Sequence, residues 1–217
     1  MLKRIIPYAH HLLETSVKEG DVVVDATCGN GNDTLLLSSL VGETGTVYAV
    51  DVQEQAIETT KKLLTENERS NVEFIHDSHA NLEQYLPESL KGTLGGAIFN
   101  LGYLPRSDKQ IITQGESTIA AVETLLEFIR KKALVILVVY HGHEGGAEEK
   151  DAVLSYVKQL DQKKYAVLQY KFLNQQNNPP FVIAIEKISS FFSMSKYAKM
   201  NVEYVEPEEE NDTPLRK

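Results

Sequence analysis

Hydrophobic positions along the chain fall into two kinds of run that take turns. Ile5, Ile6, Ala9, Leu12, Leu13 and Val17 recur at helical spacing before Gly20, which predicts a helix over residues 4–17 packed on a sheet. Val22-Val23-Val24 is a short β-branched run and suits a buried strand. A loop with Gly29 and Gly31 follows, and then Leu35-Leu36-Leu37 opens a helix over 33–40 with Asp33 at its positive end. The same reading gives strands at 45–51 and 71–76 around a helix at 53–66, and a fourth strand from Ala97 that ends near Asn100.

Beyond this point Ile119, Val122, Leu125, Leu126 and Ile129 share one face of a helix predicted over 117–132. Its basic end, Arg130-Lys131-Lys132, suits the negative pole of the dipole. Residues 133–139 are continuously apolar, the pattern of a strand buried on both faces. A helix at 148–160 precedes two strands, 164–173 and 181–188, joined by the short connection 175–180 that a hairpin needs. The expected fold is therefore α/β: a Rossmann-like seven-stranded sheet of five parallel strands plus a C-terminal antiparallel hairpin. One domain is expected over 1–188, and 189–217, with its acidic run Glu206 to Asp212, reads as a disordered tail.

Composition narrows the function classes. At 217 residues and 42% hydrophobic content the chain can build one sizeable core. No apolar run is long enough for a signal peptide or a membrane span, so no membrane partner and a cytoplasmic location are expected. Cys28 is the single cysteine, which excludes an internal disulfide and a cysteine-held iron–sulfur cluster. A net charge of −9 argues against a general nucleic-acid coat and leaves room for a local basic patch, for which Lys3, Arg4, Arg106, Lys109 and the Arg130 cluster are the candidates.

The chemistry starts at the glycine loop. Strand, glycine turn and helix together form a cradle for the polar part of a nucleotide-like ligand at the carboxyl edge of a parallel sheet. A dinucleotide fingerprint wants a third glycine or alanine where Thr34 stands, whereas Asp25 followed by x-x-x-Gly29-x-Gly31 has the spacing of an S-adenosylmethionine loop. Its acid can meet the methionine ammonium. Thr27, Asn30, Asn32, Asp33 and Thr34 belong to the same cradle. Asp51, about 20 residues beyond the glycines, can accept from both ribose hydroxyls, with Gln53 beside it; that feature serves either cofactor. Asp77, Ser78 and His79 close the third strand, where Asp77 is the natural acceptor for an adenine amino group. The terminal antiparallel pair favours the methyltransferase over the dehydrogenase.

At the end of the fourth strand stands Asn100-Leu101-Gly102-Tyr103, with Pro105 and Arg106 next. Methylation of an amine needs the nitrogen lone pair aimed at the methyl carbon. An amide oxygen can hold the amine N–H groups while an aromatic ring stacks on a flat substrate. Asn100 could supply the oxygen and Tyr103 the ring, in a variant of the (Asp/Asn)-Pro-Pro-Tyr box that lacks its prolines. His141 and His143 lie on a glycine loop at the same edge and read as polar groups toward substrate, either one a proton acceptor near neutral pH. No metal is expected, because alternate histidines on a loop need a third ligand. Asn177 and Asn178 are placed at the substrate mouth. Tyr8, His10 and His11, on the first helix, read as packed or solvated groups.

Several segments together resemble one family: Asp25 to Thr34, Asp51-Val52-Gln53, Phe99 to Pro105, Val138 to His143 and Asn174 to Phe181, in order over nearly all of residues 1–187. They are similar to the YtqB/MnmM family of class I S-adenosylmethionine-dependent methyltransferases. Asn32 stands where that family more often has histidine. The resemblance implies N-methylation of the aminomethyl group of 5-aminomethyl-2-thiouridine at the tRNA wobble position, with the anticodon stem-loop as partner and a homodimer as one assembly. An rRNA or small-molecule amine methyltransferase, or a non-catalytic cofactor-binding module, would share the cofactor features.

Overall fold

A computed structural model of the chain describes residues 1–102, 115–142 and 145–188. In chain order the elements are α1 (Ile5–Ser16), β1 (Val22–Asp25), α2 (Asn32–Val41), β2 (Thr46–Asp51), α3 (Glu54–Glu66), β3 (Val72–His76), β4 (Leu94–Leu101), α4 (Gly115–Phe128), β5 (Ile129–Val139), α5 (Gly146–Lys158), β6 (Tyr165–Tyr170) and β7 (Phe181–Lys187). The strands make one seven-stranded sheet in the order β3-β2-β1-β4-β5-β7-β6. From β1 to β5 all neighbours pair in parallel, and β7 runs antiparallel to both β5 and β6. The expected topology is the observed one.

Alternation along the buried strands builds a core on each face. Val24, Ala97, Phe99, Leu101, Val135, Leu137 and Val139 pack toward α4 and α5. Val23, Ile98, Ile136, Val138 and Val182 pack toward Ile5, Ala9 and Leu13 of α1 and Leu37 and Val41 of α2. Because β4 and β5 are covered on both sides, their sequences show no polar alternation. Each valine, leucine, isoleucine or phenylalanine among them contributes about 1.5–3 kcal/mol on burial.

One expected element is corrected. The helix predicted over 117–132 stops at Phe128, and Ile129 through Lys132 already belong to β5. Phe128 and Ile129 are both fully buried, so the chain turns into the sheet there rather than carrying a solvated basic helix end. Lys132 takes a positive φ of 67°, and the pairing jumps from Leu94↔Ile129 to Gly96↔Leu134, so the extra residues of β5 bulge out. Ile129 keeps helical spacing with Leu125 and Leu126, which is why the pattern misleads. Arg130 instead pairs with Asp21 at 2.9 Å and donates to the Ser16 carbonyl. This lies at the amino-terminal edge of the sheet, opposite the carboxyl ends of the parallel strands, and removes Arg130 from the candidate phosphate contacts.

Candidate active site

The strand order reverses at β1, which sits between β2 and β4, and a crevice opens there at the carboxyl ends of the strands. It is a cleft of about 750 Å³ that runs from the α1 side past the β1 loop to the end of β3. That size is within the range of small-molecule sites.

The loop after β1 is fixed on all sides by backbone hydrogen bonds. Ala26 N–H reaches the Ile98 carbonyl on β4, Cys28 N–H the Val50 carbonyl on β2, and Gly31 N–H the Cys28 carbonyl. Thr60 of α3 donates its hydroxyl to the Gly29 carbonyl at 3.2 Å. Gly31 caps α2 with φ of +83°, and a Cβ there would stand 3.0 Å from Thr60, so both conformation and space demand glycine.

Thr27, Gly29, Asn30 and Asn32 of this loop line the cleft, whereas Asp25, Gly31 and Thr34 stand behind it. Asp25 is fully buried and accepts from the Thr34 hydroxyl at 2.6 Å and the Thr27 N–H at 3.2 Å. Burial, and next the charge of Asp33, push its pKa up to about 7. As an internal brace it does not present its carboxylate to a ligand ammonium. The acid that faces the cleft at this corner is Asp33, which makes no cap for α2 and turns to two partners on other elements. His10 of α1 holds one oxygen at 2.6 Å, and the Asn100 side-chain amide donates to the other. The hydrogen bond that His10 donates to Asp33 raises the His10 pKa above its ordinary value.

At the second strand end Asp51 accepts from Gly29 N–H and Gln53 N–H, each at 3.0 Å. With Val52 N–H a third backbone donor to the carboxylate, lone-pair capacity remains for a ribose hydroxyl. Burial raises its pKa despite these donors. Gln53 lines the cleft beside it. At the third strand end Asp77, Ser78 and His79 line the cleft. The Asp77 oxygens already accept from Tyr85 hydroxyl, Ser78 N–H and Asn81 amide, with Tyr85 contributing most to holding its pKa below the usual carboxylate range. His79 is buried, edge-on to Phe99, and burial takes its pKa down to about 4, so it is neutral at physiological pH.

On the other flank lie Asn100, Gly102, Tyr140, His141, Gly142, Ser117 and Asn178. Asn100 N–H is fixed by the Thr27 hydroxyl at 2.7 Å. His141 Nε2 is 3.1 Å from the Pro179 carbonyl, which can only accept, so the ring's proton is on Nε2 and Nδ1 is its acceptor. Burial lowers the His141 pKa. Asn178 lines the cleft with φ of 51°, and Asn177, with φ of 63°, is not among the lining residues. Tyr103, Pro105, Arg106 and His143 lie outside the described residues, as do Lys109 and the acidic tail. Among the described residues no group of His, Cys, Asp and Glu is arranged to hold a metal.

Sequence reasoning missed His10, Ile6 and Tyr140. His10 follows Ile6 at i+4 on a helix whose next face, Ile5, Ala9 and Leu13, is buried, and that spacing was the available signal. Cys28 also lines the cleft; it is 3% exposed and burial pushes its thiol pKa up. Iodoacetamide at pH 8 should label it roughly a hundredfold more slowly in the native protein than in urea; comparable rates would contradict the protonated, enclosed thiol.

The residues fit S-adenosylmethionine. A glycine loop pinned for close backbone approach, a carboxylate with acceptor capacity to spare at the second strand and a polar corner at the third follow one another along one cleft. Asp33, Asp51 and Asp77 give it the negative potential that a sulfonium cation favours.

A family model described as "Putative rRNA methylase" matches residues 47–186. The chain is similar to "tRNA (mnm(5)s(2)U34)-methyltransferase, chloroplastic" of Arabidopsis thaliana, at 34% identity over 194 residues, which are 85% of this chain and 70% of that protein. The fold matches the crystal structure of an rRNA-methylase so described from Clostridium thermocellum, with a TM-score of 0.83 and 43% identity over 87% of this chain and 100% of that one. A methyltransferase so described from Streptococcus mutans, crystallised in complex with SAH, matches at TM-score 0.79 and 42% identity over 87% of this chain and 100% of that one. The chain belongs to this rRNA methylase family of S-adenosylmethionine-dependent methyltransferases.

Proposed function

We propose that the chain methylates the aminomethyl nitrogen of 5-aminomethyl-2-thiouridine at the tRNA wobble position, giving 5-methylaminomethyl-2-thiouridine in the cytoplasm. The observation that carries this reading is the Asn100 amide. Its nitrogen donates to Asp33, so its oxygen is left as an acceptor at the cleft wall, and it accepts from no donor among the described residues. An amine offers the N–H groups such an oxygen can hold. The similarity to the Arabidopsis wobble-uridine enzyme supports the choice of base.

Bound S-adenosylmethionine supplies an electrophilic methyl group whose departure leaves a neutral thioether. The chain's residues have two tasks. Asn100 Oδ1, oriented by Asp33, holds the amine so that its lone pair points along the cleft. The substrate ammonium must first lose a proton, and neutral His141, with its lowered pKa and unprotonated Nδ1, can accept it while partial desolvation lowers the amine's own pKa. Tyr103 would wall the base, and the anticodon stem-loop would be the bound RNA.

The test is methyl transfer from labelled S-adenosylmethionine to tRNA from a strain lacking this gene, read by nucleoside mass spectrometry. A gain of one methyl on 5-aminomethyl-2-thiouridine is expected. No gain, with cofactor binding intact, would overturn the substrate and leave rRNA and small amines to be tried.

A further inference from the structure

The carboxyl edge of the sheet carries an aromatic and basic surface on the far side of α1 from His10. Tyr8 and Tyr170 stack with ring centroids 3.9 Å apart and planes 20° apart. Phe172 meets Tyr170 edge-on at 5.7 Å. The Tyr170 hydroxyl donates to the Lys3 carbonyl at 2.8 Å, which ties the start of α1 to the end of β6. All three rings are only half-buried, and Leu173 next to them is 94% exposed.

Lys3 and Arg4, at the chain segment that the Tyr170 hydroxyl holds, and Lys171, between Tyr170 and Phe172, are all exposed, and none forms an ion pair among the described residues. In a chain of net charge −9, three cations without an ion-pair partner among the described residues, carried on two segments that meet in the fold, are a local inversion of sign. Lys171 is close enough to act on the His141 ring, which lines the cleft, and Ile6 on the first turn of α1 lines it as well. The surface is thus continuous with the acceptor end of the cleft. The edges of the sheet are also distinguished: Arg130, at the opposite edge, is neutralised by Asp21.

We infer that this rim, built from Tyr8, Tyr170, Phe172, Lys3, Arg4 and Lys171, is a docking surface for single-stranded RNA flanking the nucleotide held in the cleft. The inference rests on the RNA reading of the function and adds where the RNA lies. Exposed ring faces and edges offer stacking to a base of any identity, and the cations meet the phosphates between bases. A nucleotide whose base enters the cleft must be turned out of its own stack, so its neighbours on the strand have unpaired faces to place somewhere. A loop supplies such nucleotides, and a duplex does not.

The experiment measures binding of a fluorescent tRNA anticodon stem-loop across a salt series. It compares the wild type with Arg4→Gln/Lys171→Gln, with Phe172→Ala and with a control, Lys158→Gln/Lys163→Gln, at the opposite edge of the sheet. With two fewer cations to neutralise single-strand phosphates, the slope of log K against log salt should become shallower by about 1.4 in the Arg4/Lys171 variant. Phe172→Ala should weaken binding about tenfold at unchanged slope. S-adenosylmethionine affinity, measured by calorimetry, should be the same in all four proteins and reports that they are folded. A wild-type slope in the Arg4/Lys171 variant, or an equal loss in the control, would overturn the rim as the docking site while the RNA reading stands. Absence of RNA binding by the wild type would overturn both.

Discussion

Asn100→Ala should lower the rate of methyl transfer about a hundredfold while leaving the S-adenosylmethionine dissociation constant within about twofold, because the loss falls on the positioning of the acceptor. The amide stands between two fixed groups. Its backbone N–H is held by Thr27 at 2.7 Å and its side-chain nitrogen by Asp33. Alanine keeps the first and removes the second, so the strand end stays in register while the amine loses its acceptor. Single-turnover rates and calorimetric cofactor binding separate the two effects. Equal losses in both would mean that Asn100 serves the cofactor, and the acceptor role would be withdrawn.

The second large effect concerns stability. Thr34→Val removes the hydroxyl that donates to the fully buried Asp25 carboxylate and leaves it one backbone donor, from Thr27. The Asp25 pKa, about 7 when folded against an ordinary value of 3.8, means that the folded state binds its proton more tightly than the unfolded chain. Ionising Asp25 therefore costs stability as pH rises from 3.8 toward 7, and the loss levels off above the folded pKa. Without the hydroxyl the folded pKa moves higher still, so the variant goes on losing stability above pH 7 where the wild type has levelled. The difference between the two should be about 1 kcal/mol at pH 6 and about 3 kcal/mol at pH 8.5, from urea midpoints. A difference that does not change with pH would show that Thr34 acts by packing alone.

Much of the fold was legible because the parallel strands are covered on both faces, and long β-branched runs such as 133–139 have no other use in a chain of this composition. The Phe128–Ile129 junction was not legible. Helical spacing extends across it, and only the three-dimensional demand to bury both residues ends the helix. The cofactor loop showed itself through glycine, whose tolerance of positive φ is a property of one residue and needs no neighbours. Asp25 and Asp33 were harder, since two acids in one loop look alike in sequence and differ by which one the sheet encloses. His10 could not be assigned for the same kind of reason: its partner lies 23 residues away on another helix.

That partnership bears on how the protein is made. Helix α1 leaves the ribosome before every strand it packs on, and it is seated on β4, β5 and β7, with Ile5, Ala9 and Leu13 against Ile136, Val138 and Val182. Its docking surface is complete only after β7 has been synthesised. During translation the glycine loop can close against β2 and β4 long before His10 arrives beside Asp33. The nascent chain thus acquires the glycine loop's contacts first, and the His10 side of the cleft last.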